Sequence, residues 1–363
     1  MRVLIAGGGV IGTSIAYFLA RRGIRTIVVE PTGVAHAASG KSGGFLALDW
    51  CDGTPLEALA RRSFALHARL ADELGGNWGF RRMTAYGAHG ESGTTQRDAP
   101  ALPWLSRAVA IDRQLGSAAT TAQVHPAEFT KAMMSAAEAR GAELRTGAVT
   151  GVLRSEDGTR VRGAEVDGEA LSADAVVIAM GPWSIHAARW LPLPRVFGLK
   201  GHSLVFETGG SVPAEALFLE YLERHGELLT PEVFPRGNGT TYVCGISSES
   251  MVPEDPSDVV PDASALERLE SLCRELSPVL QSSKIVARQA CYRPVSHDGW
   301  PLIGKVPGVE GAYVATAHSV WGILNAPATG EAMADLIAEG RAANVDLSPY
   351  DPKRLPPAAA TTG

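Results

Sequence analysis

Two groups of residues carry chemistry before any fold is assumed. Gly7, Gly9 and Gly12 satisfy G-x-G-x-x-G directly after the apolar run Arg2 to Ala6, and Glu30 closes the next apolar run, Thr26 to Val29. Gly7 suits a tight turn out of a strand, Gly9 lets backbone approach a pyrophosphate, and Gly12 lets helix and strand pack closely. The pyrophosphate would rest on the free amides at the start of the next helix, around Val10 and Ile11, where the helix dipole favours negative charge. Glu30 would accept hydrogen bonds from the adenosine ribose. The second group is Ser39-Gly40-Lys41-Ser42-Gly43-Gly44, inside the small-residue stretch Thr32 to Leu46. Such a stretch fits either a backbone that approaches something flat and large, or a flexible surface loop.

The elements that must position these groups follow from patterning. Arg2 to Ala6 reads as a buried parallel strand, Thr13 to Arg22 as a helix stopped by Gly23, and Thr26 to Val29 as a second strand. Pro55 to Leu74 predicts an amphipathic helix closed by Gly75-Gly76. Phe80 to Gly90 and Ala108 to Ile111 predict strands on either side of a loop, Glu91 to Pro103. A helix from Pro126 to Arg140 leads into a short strand, Ala142 to Arg145. A meander follows over Val149 to Arg154 and Arg160 to Val166, and then an apolar strand, Ala175 to Ala179. From Leu193 to about Ile285 the texture is β-rich, with His202 to Phe206, Leu228 to Phe234 and Thr241 to Ile246 as strands and one helix, Ser264 to Leu276. Parallel βαβ logic is absent there. The first style then returns in a strand Ala312 to Ala317, a loop His318 to Pro327 and a helix Ala328 to Glu339. The tail from Pro349 is expected to fray. The fold class expected is α/β (α+β overall): a Rossmann-like dinucleotide domain over residues 1–75, 124–192 and 286–363, with a β-rich substrate domain inserted over 76–123 and 193–285.

Composition sets the outer limits. The chain has 363 residues and a net charge of −6, with its basic residues scattered, which argues against nucleic-acid binding. No run reaches the roughly 18 apolar residues of a membrane span. Three adjacent glycines within the βαβ pattern argue against a secretory signal at the N-terminus. Four cysteines without C-x-x-C spacing and nine ungrouped histidines point to a reduced, cytoplasmic setting and no metal. A monomer or small homo-oligomer is expected.

The N-terminal unit alone suits NAD or FAD. Further stretches resemble a family that decides between them. Val3 to Glu30 with Ala37 to Gly44, and Ala173 to Ser184 (A-D-A-V-V-I-A-M-G-P-W-S), look like the D-amino-acid-oxidase superfamily. Arg293 to Gly304 (R-P-V-S-H-D-G-W-P-L-I-G) and His318 to Gly330 (H-S-V-W-G-I-L-N-A-P-A-T-G) resemble its glycine-oxidase branch. The match is weakest over Asp49 to Gln123 and Gly209 to Leu280.

The resemblance implies FAD and oxidation of the C–N bond of an amino acid or N-substituted amino acid. A hydride would pass to flavin N5, the imine would hydrolyse, and the flavin would be reoxidised by O2 or another acceptor. It places Val149 at the adenine, and Gly181, Trp183, Gly322, Ile323 and Leu324 along the cofactor. Pro327 and Ala328 would open a helix aimed at the flavin N1–C2=O edge. Arg293 would grip the substrate carboxylate, a planar, bidentate task that suits a guanidinium; the structural alternative is a salt bridge to Asp298 or Glu310. The branch's second arginine falls on Val320, with Trp321 beside it as an apolar or aromatic wall, so a bulkier or N-substituted amine is implied. His318 would touch flavin or substrate, or be satisfied by backbone. Cys291 aligns with the cysteine that is bonded to flavin in sarcosine oxidase. The residues after it follow glycine oxidase, so noncovalent FAD is expected and a covalent link at Cys291 is the alternative. Lys41 and Lys200 are the candidates for promoting reaction with oxygen. Other readings are a flavoprotein dehydrogenase of another small amine, an NAD-dependent dehydrogenase, and a non-catalytic FAD-binding trafficking protein.

Overall fold

A computed structural model describes residues 1–94 and 99–358. Part of the expected loop Glu91 to Pro103, and the last five residues of the tail, lie outside the described residues.

The central sheet has six strands in the spatial order Leu302–Lys305, Ala312–Thr316, Ala175–Ile178, Arg2–Ala6, Arg25–Glu30 and Glu143–Thr146. All neighbours run parallel except Leu302–Lys305 beside Ala312–Thr316. The two middle strands are buried on both faces, as their unbroken apolar runs require. Alternation divides the faces. Val3 and Ile5 pack with the helices, whereas Leu4 and Ala6 pack under the antiparallel meander Val149–Arg154, Val161–Val166 and Glu169–Ser172. On the helical face lie Val10–Ala20, Pro126–Glu138 and Gly322–Glu339. Arg62 makes a two-pronged bond (2.8 and 2.7 Å) from helix Glu57–Leu74 to Glu331 of the last helix.

A second sheet of eight strands runs Lys284–Ser296, Val196–Glu207, Thr240–Glu249, Glu232–Pro235, Glu215–Leu222, Thr84–Glu91 and Val109–Gly116, with Leu228–Leu229 beside Glu215–Leu222. It is antiparallel apart from one parallel pair, Glu215–Leu222 with Thr84–Glu91. The amphipathic helix Ala263–Leu276 covers one face, packing Leu266, Leu269 and Leu272 on Leu204, Val233 and Val243. The opposite face carries Phe218, Phe234, Tyr242 and Cys244. A small sheet of Phe45–Ala47, Thr121–Gln123 and Arg81–Arg82 lies between the two large ones in the chain.

Several expectations are corrected. Strand Lys284–Ser296 pairs along its whole length with Val196–Glu207, so the boundary expected at residues 285–286 falls inside a strand. The tail is docked as far as residue 358: Tyr350 is buried with its hydroxyl on the Pro55 carbonyl (2.6 Å), and the Ala358 amide donates to Leu193. The last helix starts at Gly322, five residues before Pro327, which lies inside it. Proline ordinarily opens a helix because it has no N–H to donate. Here a second helix supplies what the proline removes, as described below.

Candidate active site

One large cleft, of about 840 Å³, runs from the edge of the parallel sheet to the uncovered face of the eight-stranded sheet. Its first end is built from backbone. Gly7 leaves its strand at φ 112°, where a Cβ would sit 2.4 Å from the Ala179 carbonyl oxygen. A Cβ on Gly12 would lie 2.0 Å from the Gly7 carbonyl oxygen, so helix and turn touch without intervening atoms. Helix Val10–Ala20 begins at Gly9 with no side-chain cap of its own and no acid in its first turn. Ser39 Oγ accepts from the Val10 amide at 2.9 Å. Glu30 accepts from the Gly8 amide (2.8 Å) and from the amide and hydroxyl of Thr32 (3.0 and 2.7 Å), which fixes its carboxylate at the cleft wall.

Of the expected cofactor residues, Gly7, Gly9, Val10, Ile11, Glu30, Ser39, Ser42, Gly43, Gly44, Val149, Gly181, Trp183, Arg293, Gly322 and Ile323 line this cleft. Gly12, Gly40, Lys41 and Leu324 do not. Gly12 and Gly40 serve tight packing, since a Cβ on Gly40 would strike the Ala35 carbonyl, and Leu324 is buried in the core. The glycine-rich stretch is not a flexible surface loop: a Cβ at Gly43 would press into the Phe234 ring, and one at Gly44 into the Val124 carbonyl. Arg236, buried, holds it with a 2.8 Å bond to the Ser42 carbonyl.

The residues present fit a flavin dinucleotide. The helix start, with no acid in its first turn, would receive a diphosphate, and two buried polar atoms on the cleft wall, Ser42 Oγ and His318 Nδ1, have no partner among the described residues. At the middle of the cleft the last helix presents Gly322 and Ile323, with no acid in its first turn to oppose negative charge there. Because Pro327 has no N–H, the Ile323 carbonyl lacks its helical donor. His67, from helix Glu57–Leu74, supplies one: its Nε2 lies 2.9 Å from the Ile323 oxygen and 3.2 Å from that of Leu324. Ser63, one turn earlier, accepts from the Ala328 amide at 3.1 Å. Burial pushes the His67 pKa down to about 4, keeping it neutral with its hydrogen on Nε2.

His318 reaches the wall from a turn in which Ala317 and Ser319 both adopt positive φ (61° and 51°), a conformation rare for non-glycine residues. Its Nε2 is 3.1 Å from Thr329 Oγ1, and burial lowers its pKa to about 3. It therefore acts as a neutral hydrogen-bonding group. Trp321 stands half-buried on the wall, and Val320 is exposed at the mouth.

At the far end, Arg293 lies in the cleft with one long polar contact, to Ser247 Oγ at 3.5 Å. The structural salt bridges considered for it are taken elsewhere: Asp298 by Arg354 (2.7 Å), and Glu310 by Arg160 (2.5 Å). Cys291, two residues before it, also faces the cleft, and burial pushes its thiol pKa up. Lys200 points away. Its Nζ is 2.5 Å from Asp262 at the start of the covering helix, and His202 Nε2 lies 3.1 Å from the same carboxylate. No lysine lines the cleft among the described residues.

The rest of this end was not anticipated. Phe45, Trp50, Phe218, Phe234 and Tyr242 form a continuous aromatic wall, with Phe45 and Phe234 stacked at 5.5 Å. Glu232 stands among them. The alternation of Glu232-Val233-Phe234 held the signal, since it puts a carboxylate in phase with an apolar cleft-facing residue.

Comparison with known proteins agrees with this geometry. The family described as FAD dependent oxidoreductase matches residues 2–336. A putative oxidoreductase of Schizosaccharomyces pombe is 30% identical over 97% of both chains. A glycine oxidase of Pseudomonas putida is 28% identical over 97% of this chain and 98% of its own. The solved glycine oxidase of Geobacillus kaustophilus superposes with a TM-score of 0.79 at 25% identity, over 97% of this chain and 99% of that one.

Proposed function

This chain belongs to the FAD dependent oxidoreductase family, in its glycine-oxidase-like branch, as an FAD-binding oxidoreductase of amines; from that premise we propose that it oxidises the C–N bond of an amino acid or N-substituted amino acid. When bound, FAD supplies at N5 the acceptor for the hydride that leaves the substrate α-carbon. Ser39 and the start of helix Val10–Ala20 hold the diphosphate, Glu30 the ribose, and the backbone near Val149 the adenine. Gly322 and Ile323 stabilise negative charge at the ring edge through the helix dipole. Arg293 fixes the substrate carboxylate, and the aromatic wall holds the remaining carbon skeleton and keeps water away. The imine leaves and hydrolyses in water. His318 orients neighbours and moves no proton, since burial keeps it neutral.

The observation that carries this reading is an arginine inside the cleft that no carboxylate of the described residues satisfies. Anaerobic bleaching of the flavin by a panel of amino acids and N-alkyl glycines tests it. Bleaching by at least one carboxylate-bearing amine is expected, and silence across the panel would sink the reading. Peroxide release against reduction of an artificial dye then separates O2 from another acceptor. A flavin extractable with acid is expected, with Cys291 as a free thiol.

A further inference from the structure

Glu232 has no place in the chemistry above, yet among the described residues it is the one carboxylate set among the aromatic residues of the substrate end. Its strand sends Val233 to the helix-covered face, and Glu232 with Phe234 to the cleft. Its one side-chain partner is the Cys244 thiol, directly across on the next strand at 3.6 Å, and a thiol is a weak donor. A buried carboxylate is normally paired with a cation or several strong donors. This one has neither among the described residues.

Three strands along the sheet, on strand Lys284–Ser296, stands Arg293, and both side chains lean inward. The guanidinium lies over Gly201, where a Cβ would come within 3.3 Å of Nη2. The Glu232 carboxylate leans over Cys244. Between them the two intervening strands present Gly201, Cys244 and Ser247, so a trough with small residues on its floor separates a positive from a negative group. The two do not come within the 4.0 Å of an ion pair; three strand intervals set their backbones roughly 14 Å apart, and the inward lean of both side chains narrows the gap between the charges. The titratable groups that act on Glu232 are Arg293 and Cys244; Tyr242 and Cys291 line the same cleft, with Lys41 acting on Cys291.

Resting on the reading above, we propose that Glu232 receives the nitrogen of the substrate, so that the site selects zwitterionic amino acids by both ends, and that Glu232 takes the proton from the ammonium form. The N–H bond breaks, the Glu232 O–H bond forms, and the nitrogen keeps the electron pair that hydride departure from the α-carbon requires. No other reactant takes part. Burial pushes the Glu232 pKa up, against the opposing charge of Arg293 and the Cys244 bond, which suits a group that must accept a proton from an ammonium.

The test is calorimetric, on holoenzyme reduced with dithionite under argon so that no turnover occurs. The ligands are the amino acid that bleaches the flavin best and the carboxylic acid of the same skeleton without nitrogen, each titrated near neutral pH in two buffers of different ionisation enthalpy. The unaltered protein should bind the amino acid with the same heat in both buffers, because the proton stays in the complex. Glu232→Gln should weaken the amino acid by about 10–100-fold, leave the nitrogen-free acid within about twofold, and release about one proton per amino acid to the buffer. Glu232→Asp, the second variant, should bind more weakly without proton release. Unchanged amino-acid affinity in Glu232→Gln overturns the proposal and leaves the role of Arg293 standing. Weakened binding without proton release in Glu232→Gln, or release by Glu232→Asp, overturns the proton transfer. Failure of Arg293→Met to weaken the nitrogen-free acid overturns the earlier reading instead.

Discussion

The two ends of the cleft are built on different principles. The dinucleotide end is backbone: Gly7, Gly9, the start of helix Val10–Ala20 and the Ser39–Gly44 turn, all from the first 44 residues, with Glu30 and Ser39 tying them together. The substrate end is side chain: Phe45, Trp50, Phe218, Glu232, Phe234, Tyr242 and Arg293 arrive from strands and a loop far apart in sequence. A backbone cradle tolerates no added atoms but reads only an invariant ligand. A side-chain wall can change one residue at a time without disturbing the strands beneath, which allows one fold to serve many amines.

That contrast can be broken by experiment. Gly12→Val should cost the most, because its side chain would have to occupy the position of the Gly7 carbonyl. At least about 3 kcal/mol of stability and most of the bound flavin should be lost, read by thermal unfolding and by the flavin-to-protein absorbance ratio. A fully yellow variant would show the cradle to be more forgiving than its contacts. Arg293→Met should keep its flavin yet lower the efficiency of anaerobic reduction by roughly 10²–10³-fold; loss of colour instead would move Arg293 to the cofactor end.

A smaller effect tests the join between the ends. The folded-state pKa values of His67 and His318, about 4 and about 3, lie below the ordinary histidine value of about 6.5. The unfolded chain therefore binds more protons between these limits. The stability from both groups is whole above pH of about 6.5 and drains as pH falls toward about 4. Unfolding free energies from urea titrations at about pH 7 and 5 should differ by on the order of 1–2 kcal/mol for each histidine, and the fall should shrink in His67→Gln. An equal fall in that variant would argue that His67 is not buried neutral. Cys291→Ser should change least: acid precipitation should leave the yellow colour in the supernatant with or without the thiol. Colour retained in the pellet by the unaltered protein alone would establish a covalent link.

Legibility in the sequence followed the same division. Gly7, Gly9, Gly12 and Glu30 could be read because strand, turn, helix and acid are contiguous, so spacing alone encodes their geometry. The aromatic wall and Glu232 could not, because neighbours such as Phe45 and Phe234 meet only after two sheets have formed. Lys200 was a candidate for the cleft until strand phase turned it toward Asp262. Pro327 was misread for a related reason. The local rule that proline begins a helix is sound, but His67 and Ser63, more than 250 residues earlier, meet the groups it leaves open.

That proline has a mechanical consequence. The turn that borders the redox centre takes its register from a neighbouring helix rather than from the rod it nominally heads. A push on helix Glu57–Leu74, even near its solvent end at Arg69 and Glu73, would be transmitted through an imidazole to the edge of the isoalloxazine. With FAD seated as proposed above, the electron affinity of the coenzyme would be sensitive to a surface remote from the substrate end.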